Sequence, residues 1–333
     1  TSSKVVRSYP ALDIGIIGLF PYDFTTVRHV ISLTGLDAGK TYYYRVGDAS
    51  MDWWSDVGTL TTASNTDEFT FLHMTDNQGQ TRAQYETWAN TVSKATEMYP
   101  DASFMLHSGD FVDNGANVKQ WQWMLDTAAQ DLASLPIMPT SGNHDAMGDF
   151  SLVNTFTLSD IEFQNQDSGI YYSFDYNHAH FAVLNTNDLN DDGSLSDVQL
   201  NWLRKDMEES DADWKIVSIH KAVYSNGEHI ADHDVVGLRE QLTVLMPELD
   251  IDLVLQGHDH VYMRTEAIRN NNAYPTLSEI VTSRDGTVYT SVMDPLGTIY
   301  VISGAAGEKS YTPKSQSETA EYIPSPYKSV DTD

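Results

Sequence analysis

The chain of 333 residues contains no cysteine, which excludes disulfide staples, thiolate metal sites and cysteine nucleophiles together. Basic residues are scarce as well: 19 Lys and Arg stand against 48 Asp and Glu, a formal charge of −29. A surface of that sign repels nucleic acid and anionic membranes and suits a salty or extracellular medium. No apolar run reaches the roughly 18 residues of a membrane span. The first residues, Thr1-Ser2-Ser3-Lys4, lack the pattern of a secretory leader, so none is expected within this chain. No repeat or low-complexity tract occurs, and nothing in the composition speaks to oligomeric state.

An apolar and aromatic content of 41% supports a core for one large domain with an appendage. Residues 1–63 read as β-structure. Val27–Leu33 and Thr41–Val46 are rich in β-branched and aromatic residues and are separated by Gly35 and Gly39. The run from Leu36 to Tyr42 predicts a fibronectin-type corner in which the Tyr42 hydroxyl pins the turn before a strand. A whole sandwich takes roughly 100 residues, so this segment reads as the later part of one, either lacking earlier strands or leaning on the domain that follows. The polar stretch Thr61–Asp67 marks the boundary. Across 64–333 strand-like segments alternate with the helix-like segments Arg82–Tyr99, Val118–Leu135, Val198–Glu209 and Val235–Leu249, an α/β pattern. A later β-rich stretch, Gly286–Val292 and Gly297–Ser303, ends in Gly304-Ala305-Ala306-Gly307. The tail from Glu308 is polar and without periodicity, which predicts a loop-rich cover or a linker.

Six residues stand just after strand-like segments: Asp76, Asp110, Asn143, His220, His258 and His260. Carboxylate, amide and imidazole groups converging from several strand ends are what an α/β sheet offers a bound ion. A lone His would carry little weight; six such ligands in this arrangement predict a metal centre.

The series Asp76-Asn77-Gln78, Gly109-Asp110, Gly142-Asn143-His144-Asp145, His220 and Gly257-His258-Asp259-His260 resembles the signature of the calcineurin-like metallophosphoesterases. It is most similar to bacterial purple-acid-phosphatase-like proteins with a small β-sandwich before the catalytic domain. The resemblance implies a four-layer α/β/β/α sandwich and two metal ions, iron, zinc or manganese. One would be held by Asp76, Asp110 and His260, the other by Asp110, Asn143, His220 and His258. A shared hydroxide would attack a small phosphate ester directly, without a covalent enzyme intermediate. His144 would face the substrate as acid, with Asp145 fixing its imidazole, and His229 would contact the phosphate. Gln78 stands near a common ligand position and offers a neutral oxygen to a metal. Asp113 stands where purple acid phosphatases carry the Tyr that gives their colour. The same resemblance implies a secreted or cell-surface bacterial protein.

Other histidines read differently. His73 and His107, inside apolar strands, and His178 and His180, in an alternating run, read as satisfied core imidazoles. Asp188, Asn190, Asp192 and Gly193 match the first half of a calcium loop, but position twelve is Gln199. A turn followed by a capping box, Ser196-Asp197-Val198-Gln199, is the stronger reading of this stretch, with a calcium site the alternative. Functionally, the leading expectation is a phosphomonoesterase. A phosphodiesterase or nucleotidase on the same centre and a non-catalytic extracellular binding module are the alternatives.

Overall fold

The computed structural model describes residues 3–12, 23–31, 33–64, 66, 68–147, 152, 155, 156, 170–270, 272–282, 286 and 288–330. Residues 1–2, 13–22 and 32 of the expected N-terminal segment, and 65 and 67 of its boundary, lie outside these. The described part of that segment forms three two-stranded ladders. β1 (Ser3–Leu12) pairs with β2 (Asp23–Ile31), β3 (Thr41–Tyr44) with β6 (Gly58–Thr61), and β4 (Gly47–Asp48) with β5 (Trp53–Trp54). The Asp37 backbone N–H donates to the Tyr42 hydroxyl at 2.8 Å, which is the contact expected of the corner. The segment touches the following domain where the Tyr44 hydroxyl donates to the Ala133 carbonyl and the Thr59 N–H to the Ser134 hydroxyl. Tyr43, Trp53 and Val57 stay exposed.

Two sheets form the centre of the rest. β7 (Thr70–Met74), β8 (Ala102–His107) and β9 (Ile137–Pro139) make a parallel three-stranded sheet. The larger sheet uses β10 (Tyr172–Tyr176), β11 (Ala179–Val183), β12 (Trp214–Lys221), β13 (Leu253–Gly257), β14 (Tyr262–Thr265), β19 (Ile299–Ser303) and β20 (Tyr327–Val330). Their order is β10-β11-β12-β13-β19-β14-β20, parallel from β11 to β19 and antiparallel at both edges. The remaining strands, β15 (Ala267–Arg269), β16 (Asn272–Tyr274), β17 (Leu277–Thr282) and β18 (Val288–Met293), form two hairpins outside it.

The layers follow from alternation along the strands. Phe104 on β8 lies edge-on to Phe181 on β11 at 5.5 Å, whereas His107, of opposite parity, meets Trp88 of the helix Arg82–Met98. Aromatic rings therefore fill the space between the sheets. The helices Arg82–Met98 and Val118–Thr127 add Tyr85, Trp88, Val92, Trp121 and Met124 to the same core. The helices Asp197–Glu209 and His233–Glu248 pack Leu203, Met207, Leu238 and Leu242 with Val217, Ile219 and Val254 of the larger sheet in a second core. This is the expected α/β/β/α sandwich. The first helix shows why the sequence folds so: Thr81 and Gln84 form a capping box, the buried residues recur at helical spacing, and the helix stops before Pro100.

Two expectations are corrected, and one choice between alternatives is decided. The helix expected over Val118–Leu135 breaks at Ala128 into Val118–Thr127 and Ala129–Leu132, next to Thr127, whose hydroxyl bonds back to the Trp123 carbonyl. The tail is loop-rich and lies over the site end of the larger sheet, where the Tyr311 N–H donates to the His260 carbonyl, so the cover reading holds and the linker reading does not; unexpected was the edge strand β20, too short for a visible alternation. The calcium reading of Asp188, Asn190 and Asp192 gives way to a closed turn. Asp188 accepts from Ser196 Oγ, Asp192 from Ser194, and the Asn190 amide donates to Ser194 Oγ and the Leu195 carbonyl. Ser196 caps the helix, while the Gln199 amide is consumed by the Asn185 backbone instead of completing the box.

Among the other histidines, His73 and His107 are core imidazoles, with burial holding His73 down to about 4 and His107 well below its ordinary value. His178 is not: its side chain is 55% exposed. His180 is buried between two carboxylates, Nδ1 at 2.7 Å from Asp175 and Nε2 at 2.9 Å from Asp206. Burial alone would lower it, but the hydrogen bonds to Asp206 and Asp175 prevail and raise it. A raised histidine contributes stability that is complete below its unfolded value of about 6.5 and is lost as pH climbs through the folded one. Urea unfolding should accordingly show wild-type stability falling above about pH 6.5 relative to His180→Gln. Parallel pH profiles of the two proteins would contradict this.

Candidate metal centre

The six expected ligands meet at the C-terminal ends of the parallel strands, where loops leave both sheets. Asp76 follows β7, Asp110 follows β8, Asn143 follows β9, His220 is the next-to-last residue of β12, and His258 and His260 follow β13. The backbone is bent sharply to bring them in. Asp76, Asp110 and His258 have φ of +56°, +57° and +71°. That left-handed conformation is rare for residues with a Cβ, though Asp and His visit it more readily than most. The glycines preceding the ligands answer a packing demand. Gly109 has φ +97°, and a Cβ on Gly142 would overlap the Asp110 carboxylate.

Two groupings share Asp110. In the first, His220 Nε2 is 3.0 Å from Asn143 Oδ1 and 3.3 Å from Asp110 Oδ2, and donor atoms of Asp110, His220 and His258 lie within 4.8 Å of one another. In the second, His260 Nε2 is 3.4 Å from Asp76 Oδ1 and 3.3 Å from Gln78 Nε2, and Gln78 Nε2 is 3.2 Å from Asp110 Oδ2. The positive end of the Gln78 amide thus sits between two ligand atoms, while its Oε1 is buried without a partner. Turning that amide over would present its oxygen to a cation in the same place. Oxygen and imidazole donors of this kind fit iron, zinc or manganese.

The electrostatics prepare the ligands. His220 Nδ1 donates to the Ser108 carbonyl at 2.8 Å, so Nε2 is the nitrogen facing the site. Burial would lower His220, but the Asp110 charge and hydrogen bond carry it to about 9. Asp110 responds in kind: burial would raise it, and His220 holds it below the usual carboxylate range. A bound cation would replace the His220 proton. Burial, with His220 and His229 adding to it, keeps His258 far below its ordinary value, a neutral imidazole ready to bind. Asp76 accepts from the His258 backbone N–H and the Thr75 hydroxyl, tying the loops of the two sheets together.

His144 is half-buried beside this centre. Its backbone N–H donates to Asp110 Oδ1 at 2.9 Å, and its Nδ1 lies 2.7 Å from the Asp113 carbonyl, which leaves Nε2 as the free nitrogen. Here the expectation for Asp145 is corrected. Its carboxylate does not hold the His144 ring; its two oxygens accept two backbone N–H groups each, from Asp110, Gly142, Phe111 and Val112. Burial and the Asp110 charge push Asp145 up to about 8, and the amides pull against that shift. Asp145 is a staple between the loops after β8 and β9. Asp145→Ala should therefore destabilise the protein in urea unfolding, by about 1–3 kcal/mol for each buried backbone N–H that is left without an acceptor. Unchanged stability with lost turnover would return it to a role on His144.

His229 is brought against the centre, its ring 4.2 Å from that of His258 and its Nδ1 2.8 Å from Asp232. Sequence reasoning missed Lys309 and Tyr311. The Tyr311 ring stacks on His260 at 4.5 Å and 5°, and Lys309 Nζ is 3.2 Å from Asp113 Oδ1. Their one signal was the glycine-rich run following β19, at the same sheet end as the ligands.

The comparisons agree with this geometry. The family profile described as calcineurin-like phosphoesterase matches residues 69–262. Purple acid phosphatase 15 of Arabidopsis thaliana is 24% identical over 328 residues, covering 87% of this chain and 56% of that protein. Purple acid phosphatase 18 of the same plant is 28% identical over 78% of this chain and 58% of its own length. The chain spans about half to two thirds of the length of the first of these curated relatives. A solved purple acid phosphatase from yellow lupin (Lupinus luteus) seeds shares the fold, with TM-score 0.66 at 18% identity over 84% of this chain and 52% of that one. Profile, relatives and fold agree with the strand-end ligands that the chain belongs to the calcineurin-like phosphoesterase family.

Proposed function

We propose that the chain is a metal-dependent phosphoric ester hydrolase with a dinuclear centre, acting on small phosphate monoesters. The observation that carries this reading is the two groupings of ligand atoms sharing Asp110, with His144 beside them. Asp76, Gln78, Asp110 and His260 would hold one ion; Asp110, Asn143, His220 and His258 the other. Bound there, the ions would supply an acidified water and the positive charge that a phosphate ester needs on so acidic a chain. The protein's own part is to fix the ligands in place, hold the His144 ring by its Nδ1, and keep Nε2 free to pass a proton to the leaving oxygen. His229, beside His258, would contact the phosphate.

Elemental analysis of the purified protein, together with turnover of an aryl phosphate and its bis-aryl diester, tests this reading. Two ions per chain and faster monoester turnover are expected. Preference for the diester would favour the phosphodiesterase alternative, and metal binding without turnover the binding-module alternative. The protein should also lack an intense visible band, because Asp113, engaged by Lys309, stands in the position of the charge-transfer Tyr. A tyrosinate-to-iron band would mean that another Tyr serves that ion.

The polar boundary at Thr61–Asp67 lies just before the family match begins at residue 69, which supports a division into a β-segment, 1–63, and a catalytic domain, 64–333. No helix among the described residues is long and apolar enough to cross a membrane. The acidic surface favours a secreted or cell-surface setting.

A further inference from the structure

The tail brings a cation to the metal centre. Two anchors tie it down: the Ala306 N–H donates to the Thr75 carbonyl at 2.8 Å, and the Tyr311 N–H to the His260 carbonyl at 3.1 Å. Between them Lys309 reaches the loop after β8 and pairs with Asp113 at 3.2 Å. The Asp113 side chain is 17% exposed, and its own carbonyl is the group that holds His144 Nδ1. A carboxylate is thus built in next to His144, in a chain of net charge −29, at a site proposed to admit a phosphate dianion. Lys309 is the group that balances it.

We infer that the Lys309–Asp113 ion pair is a specificity-determining element, in which Lys309 cancels the Asp113 charge so that doubly charged esters can approach His144. This rests on the phosphoesterase reading above. Coulomb repulsion scales with the product of the charges, so an uncompensated Asp113 would oppose a monoester dianion about twice as strongly, in free energy, as a singly charged diester. Lys309→Met should raise KM for an aryl phosphate on the order of tenfold to a hundredfold, the bis-aryl diester by only about the square root of that factor, with kcat much less affected. Added salt should narrow the difference.

The decisive comparison adds Lys309→Arg and the double variant Lys309→Met with Asp113→Asn. Arginine keeps the charge and should restore the wild-type KM. The double variant should also recover, because no stray charge remains. Calorimetric titration of inorganic phosphate into the metal-loaded proteins should rank them in the same order without relying on turnover. A double variant as impaired as Lys309→Met alone would overturn the inference and make Lys309 a direct phosphate contact. Wild-type KM values for Lys309→Met on both esters would also overturn it while leaving the phosphoesterase reading intact. A wild type that turns over neither ester would remove that reading, and the inference with it.

Discussion

Asp110→Asn is expected to lose at least one metal ion and to lower phosphate-ester turnover by more than about 10³-fold, beyond the 10²- to 10³-fold typical of one electrostatic contact. The reason lies in its position. Asp110 Oδ2 faces His220 Nε2 in one ligand group and Gln78 Nε2 in the other, so a single carboxylate serves both. Asparagine keeps the shape, tolerates φ of +57°, and can still accept the His144 N–H through its carbonyl. What it removes is the charge and the second anionic oxygen, the features that let one side chain bridge two cations. The loss should therefore appear in metal content with the fold intact. A variant retaining two ions per chain and near-normal turnover would show that Asp110 does not bridge.

His144→Ala should keep both ions and lower turnover by roughly 10²- to 10⁴-fold, the usual cost of losing a general acid. The His144 side chain is anchored through Nδ1 to the Asp113 carbonyl, and only its backbone N–H touches a ligand, Asp110. Removing the ring therefore leaves the ligand set untouched. Alkyl phosphates, whose alkoxides need a proton to leave, should suffer most, and a nitrophenyl ester least. The ratio of the two losses at unchanged metal content is the measurement. Equal losses would make His144 a phosphate-positioning residue, and loss of metal would make it a ligand.

The ligands were legible because each stands at a strand end in a short motif whose carboxylate, amide and imidazole groups are together suited to holding a cation. Asp145 was not. Adjacency to His144 suggested a partner for the imidazole, but the chain turns so that its carboxylate faces the backbone amides of the Asp110 loop. Lys309 and Tyr311 left little trace for a related reason. They lie in a polar tail without periodicity, and their importance comes from where the edge strand β20 obliges that tail to run. His180 has the alternating neighbours of a core residue, and only the packing of the helix Asp197–Glu209 against its strand puts Asp206 against its second nitrogen.

What the sequence determined by itself was local or repeated along the chain: the alternation of strands and helices, the capping of Arg82–Met98, the Tyr42 corner and the chemical types of the metal ligands. Such features depend on neighbours a few residues away, where backbone geometry and periodicity leave few choices. What only the tertiary structure decided was the pairing of distant polar groups. The Gln78 amide between Asp110 and His260, the three amides of Asp110, Phe111 and Val112 on Asp145, and Lys309 against Asp113 all join segments far apart in sequence. A buried hydrogen bond is set by where packed elements bring its donor and acceptor, and sequence spacing does not encode that meeting.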